Sequence, residues 1–596
     1  MSDRSCRDAS MSSLNLSSEA TPIAYLTALN FKYRSNNSSK HPTIYTYCSF
    51  NAFQGADIRI RIEFPWDGNV KTQKIFGARD QKPTFEIDER TWDELFVSGI
   101  VRSVIIGLDR ERKLPGLVEK SIIQSISASR EIITKLVKFL DKGHLLGSRE
   151  TVSKPTIYEN FLIDTLFRIV ELTGLFVHTI NEIRALKTDI DLSVILIRLY
   201  LLQDKEHSSI QLLNKCLSFN PRNFLLLNEQ AKFLLKRGNF ELAIKIAIQS
   251  LNSNPIYFDS WYILAKAYIL NNEIAKSLIA LNGAPMYMTR AKDILKIDHR
   301  DSLSEPLPLE GKIESVWQDL TNVYGPDIRN SAKFASSAEI KAADPNLLRI
   351  NRQFLRGTHR KAYDLLVSIV GRLGWDNLLA TRSKVFIMDE EHKSLLKATL
   401  TSDLHLDDIR KKRMCEKWLD DLFLVLYEDL RVVMIIENGL QKQNPVKHSL
   451  LEWELIGLTA YRAQHYNTTV SSLRTSLSAR FSIVAAEVLL NLWSAKKKDR
   501  VIEKSLFTTA AETRDFELNI DQVLDCLIKS ISYNIRFYDE FQISVLFPLK
   551  KILSISDTEY IKNTIQISYE NDNNDTKNSG VIPTFDNLVH TLLLLN

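Results

Sequence analysis

Pro221-Arg-Asn-Phe-Leu-Leu-Leu-Asn-Glu-Gln-Ala-Lys-Phe-Leu-Leu-Lys-Arg-Gly-Asn-Phe-Glu-Leu-Ala-Ile-Lys-Ile-Ala-Ile-Gln-Ser-Leu-Asn-Ser-Asn-Pro255 runs from one proline to another 34 residues on. Its apolar positions recur at three- and four-residue steps on both sides of Gly238, the pattern of two short amphipathic helices joined by a turn. Small side chains stand where such helices must touch: Ala231 on the first, Ala243 and Ala247 on the second, with Phe240 beside them. A helix pair of this size cannot bury its apolar side alone, so neighbouring pairs must stack against it.

The next 34 residues supply that neighbour, with Trp261, Leu264, Ala265 and Tyr268 on a first helix and Asn272, Ile274 and Ser277 opening a second. These positions resemble the tetratricopeptide repeat. A degenerate unit from about Asp191 keeps Leu196, Tyr200 and Leu213, and a further one is expected at Trp453-Glu-Leu-Ile-Gly457 with Tyr466 and Leu473. Stacked units form a solenoid with an inner groove lined by first helices. The positions of those helices that packing leaves free select Asn228, Lys232, Tyr262 and Lys266 as a groove set able to hold a partner.

Outward from the repeats, Thr43–Phe50 is rich in β-branched and aromatic residues and Asp57–Phe64 alternates strictly, so Thr21 to about Thr91 reads as a small antiparallel sheet. Helical periodicity takes over near Leu114 and then dominates. The fold expected is mostly α: a tetratricopeptide-like α-solenoid with a small N-terminal antiparallel β element. Its divisions are a disordered stretch 1–20, a β-rich unit 21–110, and a helical region 111–300 with the repeats at about 191–291. A helical block 301–500 follows, with a repeat-like unit near 450–483, then C-terminal helices 501–568, a mobile loop 569–581 and an amphipathic helix 582–596.

Composition narrows the function. The 596 residues carry 77 basic and 72 acidic side chains, a net +5, too small a bias for wholesale nucleic-acid binding. Five scattered cysteines without a C-x-x-C fit a reducing compartment and no zinc ribbon. No phosphate loop, nucleophile elbow or H-E-x-x-H occurs, and the adjacent carboxylates Asp389–Glu391 and Asp420–Asp421 point about 100° apart on a helix, so no catalytic residue, metal or cofactor is expected. No apolar run is long enough to span a membrane, yet a surface can be gripped by basic clusters. Arg410, Lys411, Lys412 and Arg413 form one such candidate for an anionic membrane, and Lys496–Lys498 with Arg500 forms another. Met414, Trp418, Leu422, Leu426 and Leu430, widened by Phe423 and Val425, read as a central buried helix. After Pro583, Phe585, Leu588, Val589 and Leu592 define a one-sided helix that either docks back on the solenoid or enters a scaffold groove or membrane interface.

A longer series of motifs carries a family resemblance. Ala280-Leu-Asn-Gly-Ala-Pro-Met286, Leu307–Trp317, Asn322–Asp327, Leu355–Leu366, Gly374–Leu379, Arg382–Glu391, Arg413–Arg431 and Leu451–Gly457 follow in the order found in the ChAP family, the fungal cargo-recognition subunits of the exomer coat, and the match is densest from Asp191 to Trp493. The resemblance implies a non-catalytic peripheral protein on the cytosolic face of the trans-Golgi network. Its implied partners are a dimeric exomer scaffold subunit, related ChAP subunits, an Arf-family GTPase, an anionic membrane surface and the tails of transmembrane cargo such as chitin synthase. A soluble tetratricopeptide co-chaperone is the rival. It would need a basic carboxylate clamp, which Asn228, Lys232 and Lys266 match only in part.

Overall fold

The computed structural model describes residues 26–28, 44–54, 56–63, 71–76, 79–80, 89–106, 126–148, 156–186, 190–286, 337–352, 355, 357–387, 412–440, 448–478, 481–495, 519–537, 543–556, 558–569 and 589. Residues 1–20, residues 570–581 of the expected loop, the cluster at Lys496–Arg500 and most of 582–596 lie outside this set.

A five-stranded antiparallel sheet opens the chain: β1 (Leu26–Ala28), β2 (Ile44–Asn51), β3 (Ala56–Glu63), β4 (Lys71–Phe76) and β5 (Arg79–Asp80), each paired with the next in sequence. β2 and β3 share the longest register, Ile44 opposite Glu63 through Asn51 opposite Ala56, as the alternation at 57–64 requires. Asn51 leads out of the sheet fully buried, its amide donating to Glu94 at 3.0 Å. Glu94 belongs to α1 (Glu89–Ile106), a helix that the sequence reading did not assign within its β-rich unit 21–110. Its Phe-Val-Ser-Gly-Ile-Val run favours strand by local propensity, and burial of Val97, Val101 and Val104 at four- and three-residue steps overrides that preference.

α2 (Ile126–Lys138), α3 (Phe161–Thr173) and α4 (Phe176–Ala185) form a helical layer on α1, and Asn160 caps α3 by accepting from the Ile163 amide. The repeats follow as antiparallel pairs: α5 (Ile190–Leu202) with α6 (Glu206–Phe219), α7 (Phe224–Lys236) with α8 (Phe240–Ser253), and α9 (Phe258–Leu270) with α10 (Ile274–Asn282). Asp204, Gly238 and Asn272 sit between the partners at 34-residue intervals, and all three have positive φ, near +60 to +77°. After each first helix the same six-to-one bond closes the turn: Lys205 to Tyr200, Asn239 to Leu234 and Glu273 to Tyr268, each 2.9 Å.

Beyond the short α11 (Ser337–Ala342) and α12 (Pro345–Arg352), α13 (Gly357–Leu373) and α14 (Trp375–Val385) make another pair, joined at Gly374 with φ +80°. α13 lies alongside α9 in the same direction: Lys361 reaches Asp259 near their starts, and Arg372 donates to the Ile269 carbonyl at 2.9 Å near their ends. The solenoid therefore resumes after the intervening segment. It continues through β6 (Phe386–Ile387), β7 (Arg413–Met414), α15 (Lys417–Leu440) and the pair α16 (Leu450–Arg462) and α17 (Tyr466–Leu477). In this last pair Gln464 has φ +62° and His465 donates back to Ala460 at 2.9 Å, repeating the earlier turn. α18 (Ile483–Ala495), α19 (Ile520–Phe537), α20 (Ile543–Leu553) and α21 (Thr558–Tyr569) complete the described elements.

Two large apolar clusters hold these parts. One unites α7–α10 with α13–α15; the other joins residues of α1–α5 with residues of α17–α21 and Val589. Lys550 on α20 donates to the Leu172 carbonyl at the end of α3, so the C-terminal helices return to the N-terminal layer. Met414 is an exception to the buried-helix reading: it is exposed in β7, and the helix begins three residues later.

Candidate functional site: the inner face of the repeats

Small residues at helix crossings decide which side of each first helix faces inward. Ala231 and Ala265 are fully buried against the second helices, so the side chains set apart from them around the helix face the next first helix. Arg198 on α5, Glu229 and Lys232 on α7, Asp259 on α9 and Lys361 on α13 form ion pairs between successive first helices across four repeats. Arg198 bonds Glu229 at 3.0 Å, Lys232 bonds the same carboxylate at 2.9 Å, and Lys361 bonds Asp259 at 2.8 Å. Glu159, from the turn before α3, joins by accepting from the Tyr257 hydroxyl at 2.5 Å, with Arg198 at 3.9 Å.

These contacts set the protonation of the seam. Burial would raise Asp259 and Glu229, but Lys361 and Lys232 beside Asp259, and Lys232 and Arg198 beside Glu229, hold both below the ordinary carboxylate range. Glu159 lacks equal compensation. Burial and then repulsion from Asp259 push it up to about 7, against the pull of Arg198 and the Tyr257 hydrogen bond. Burial, with Asp364 and Asp259 nearby, pushes the Tyr262 hydroxyl up to about 12.

The groove set expected from sequence divides. Lys232 is partly exposed and paired with Glu229, and Tyr262 is half-buried close to Phe258. Lys266, one turn on from Tyr262, is half-buried. Asn228 is corrected: it is fully buried, its amide donating to Ser260 at 3.0 Å and its carbonyl accepting from Ser250 at 2.8 Å. One residue along a helix is a 100° rotation, enough to move a side chain from the groove into the joint between α7, α8 and α9. The sequence reading missed Arg198, Glu229, Asp259 and Lys361. The signal was available as charged residues inside otherwise apolar first helices, because an ion within such a helix needs a partner from the next.

The basic run stands differently from its expectation. Arg413 is exposed and Lys412 half-buried, ahead of α15 and not on it, while Arg410 and Lys411 lie outside the described residues. Phe585, Leu588 and Leu592 also lie outside them; Val589 is buried in the N- and C-terminal core. Among the described residues no group of His, Cys, Asp or Glu has the arrangement to hold a metal, and no helix is long and apolar enough to cross a membrane.

The order of helices that carries these residues has counterparts in known proteins. Residues 11–393 match the family described as ChAPs (Chs5p-Arf1p-binding proteins). This chain belongs to the ChAPs family. As a ChAPs member it is 31% identical to bud site selection protein 7 of Saccharomyces cerevisiae over 569 residues, which cover 88% of this chain and 73% of that protein. It is 30% identical to chitin biosynthesis protein CHS6 of the same yeast, over 93% of this chain and 83% of the relative. The crystal structure of the Chs5-Chs6 exomer cargo adaptor complex bound to a portion of Chs3 superposes with a TM-score of 0.69 at 27% identity, over 93% of this chain and 85% of that one. The family match reaches back through the N-terminal sheet, so the likeness is not confined to the stretch from Asp191 where the motifs are densest.

Proposed function

We propose that this ChAPs protein is a cargo adaptor subunit of exomer, a docking protein and not a catalyst, that selects membrane proteins such as chitin synthase for export from the trans-Golgi network to the cell surface. The observation that carries the reading is the likeness, over nine tenths of the chain, to the exomer cargo adaptor complex holding a portion of its cargo. The protein works as a coincidence detector on the cytosolic face of that membrane. A scaffold subunit, related ChAP subunits, an Arf-family GTPase, anionic lipid and a cargo tail each contribute a weak contact, and assembly on one platform raises their effective concentration. The inner face at Lys232, Tyr262 and Lys266 offers cargo or scaffold a mixed polar and aromatic surface. The run Arg410–Arg413 offers anionic lipid about 1 kcal/mol per charge, and the segment around Phe585, Leu588 and Leu592 offers an apolar contact.

The test is reconstitution. Purified chain is floated with anionic liposomes bearing a chitin synthase tail, with and without a Chs5-type scaffold and a GTP-loaded Arf protein. Recovery that needs both proteins is expected; recovery indifferent to both overturns the reading. Charge reversal at Arg410–Arg413 lowers liposome recovery if the run touches lipid, and unchanged recovery removes it from the membrane surface. A cytosolic co-chaperone would stay unbound in every arm.

A further inference from the structure

Among the described residues, α15 is covered on one side only. Leu422, Phe423, Val425, Leu426, Leu430, Val433 and Ile436 are buried in the core, while the opposite side carries Leu424, Tyr427, Met434 and Ile435 at 51%, 47%, 59% and 57% exposure. Leu424, Tyr427, Arg431, Met434 and Asn438 are spaced three, four, three and four residues apart, all exposed. That is the a/d spacing of a coiled coil over two heptads, about 21 Å long, and no described element covers it. The Trp375 ring at the start of α14 lies 5.8 Å from Tyr427 and forms a wall beside the seam. Aromatic side chains, methionine and arginine are the residue types enriched in interface cores.

Charge selects the occupant. Arg431 is the middle residue of the seam and has no ion-pair partner among the described residues; Glu428, one turn back on the helix, is held by Arg349 at 2.5 Å. Any two-fold pairing of two copies centred on this seam would set one guanidinium against the other, which disfavours self-association. The geometry points to a docking site on α15 for a single amphipathic helix of another protein, packed knobs-into-holes along Leu424, Tyr427 and Met434 with a carboxylate facing Arg431. This inference stands whether or not the chain is an exomer adaptor, since it rests on the seam alone.

The probe is a labelled 21-residue helical peptide with leucine at its a and d positions except a central a position, glutamate in one version and lysine in the other. Titration of the full chain, read by fluorescence anisotropy, is expected to show binding of the glutamate peptide and at least tenfold weaker binding of the lysine peptide. Arg431→Glu reverses that order, and Leu424→Lys with Met434→Lys abolishes binding while circular dichroism and Tm stay unchanged. Equal binding of the two peptides, or binding of neither by chain with native dichroism, overturns the inference. So does self-association in sedimentation that Met434→Lys removes, which would make the occupant a second copy. Recovery on phosphatidylserine liposomes that the same substitution removes, without peptide binding, would assign the face to lipid.

Discussion

Asp204, Gly238 and Asn272 show how one backbone requirement is met by three residue types. Each takes the left-handed conformation, which costs an ordinary L-residue about 1 kcal/mol and glycine almost nothing. A β-carbon added at Gly238 would meet nothing within 4 Å, so Gly238→Ala suffers from backbone strain and not from crowding. A loss of about 1 kcal/mol in urea unfolding is expected, with Asn272→Gly within a few tenths of wild type; equal costs at both sites would place the effect elsewhere. Two buried groups set opposite pH trends. Glu159, raised to about 7 by burial and Asp259, contributes stability at acid pH that is lost as pH rises from its ordinary value through 7. Glu159→Gln should therefore flatten the Tm-pH curve over that window and gain on the order of 1–3 kcal/mol above it. His359, buried beside Trp418 and lowered to about 4 by burial, works the other way: stability falls as pH drops from about 6.5 toward 4. His359→Gln should remove that acid-side slope, checked by the same melts.

At the scale of elements, close approach of helices is the property that the sequence states most clearly. Trp261 and Trp453 occupy the same place in their units, as do Ala265 and Gly457, and the repeat-like reading of 450–483 rests on that correspondence. The structure gives the reason. A β-carbon on Gly457 would lie 2.5 Å from the Leu473 side chain, which is fully buried and has nowhere to go. Gly457→Ala is expected to cost about 1–3 kcal/mol by overpacking, whereas Gly371→Ala, in α13 with open space around it, should gain up to about 1 kcal/mol in helix propensity. Thermal melts of both variants check the contrast. The pair α13 and α14 escaped the sequence reading because it lacks the small-residue positions of a repeat and is separated from its neighbours by a long segment. Its register is carried instead by Gly374 and by polar contacts to α9, which periodicity does not register. The inner face was half legible for a related reason: apolar spacing locates the groove to within one residue, and at Asn228 one residue was the difference between surface and interior.

For the whole molecule the question is whether a solenoid read from local repeats unfolds locally. Two observations argue that it does not. Arg462 of α16 grips Asp429 of α15 through Nε at 2.7 Å and Nη2 at 2.5 Å, Asp429 also accepts from the Tyr363 hydroxyl of α13, and Arg462 donates to the Ile350 carbonyl of α12. Four helices thus share one buried ion pair, and Arg462→Met, which strands the Asp429 carboxylate, should cost about 3–5 kcal/mol. The second observation is the bond from Lys550 of α20 to the Leu172 carbonyl of α3, within one apolar cluster that holds Leu166, Ile169 and Val170 of α3 and Leu527, Ile531, Leu546 and Leu549 of α19 and α20, although more than 300 residues separate the two sets in sequence. No nearest-neighbour stack can hold such a contact, so the ends of the solenoid stabilise one another and the one-dimensional picture of independent repeats fails here. In native-state hydrogen exchange, amides of α3 and of α19–α20 should open with the same free energy and the same denaturant dependence. Leu546→Ala, which removes a fully packed side chain at about 2–5 kcal/mol, should lower protection in α3 as much as in α20. Loss confined to α19–α21 would mean that the C-terminal helices only rest on the N-terminal layer, and that the repeats between them carry their stability alone.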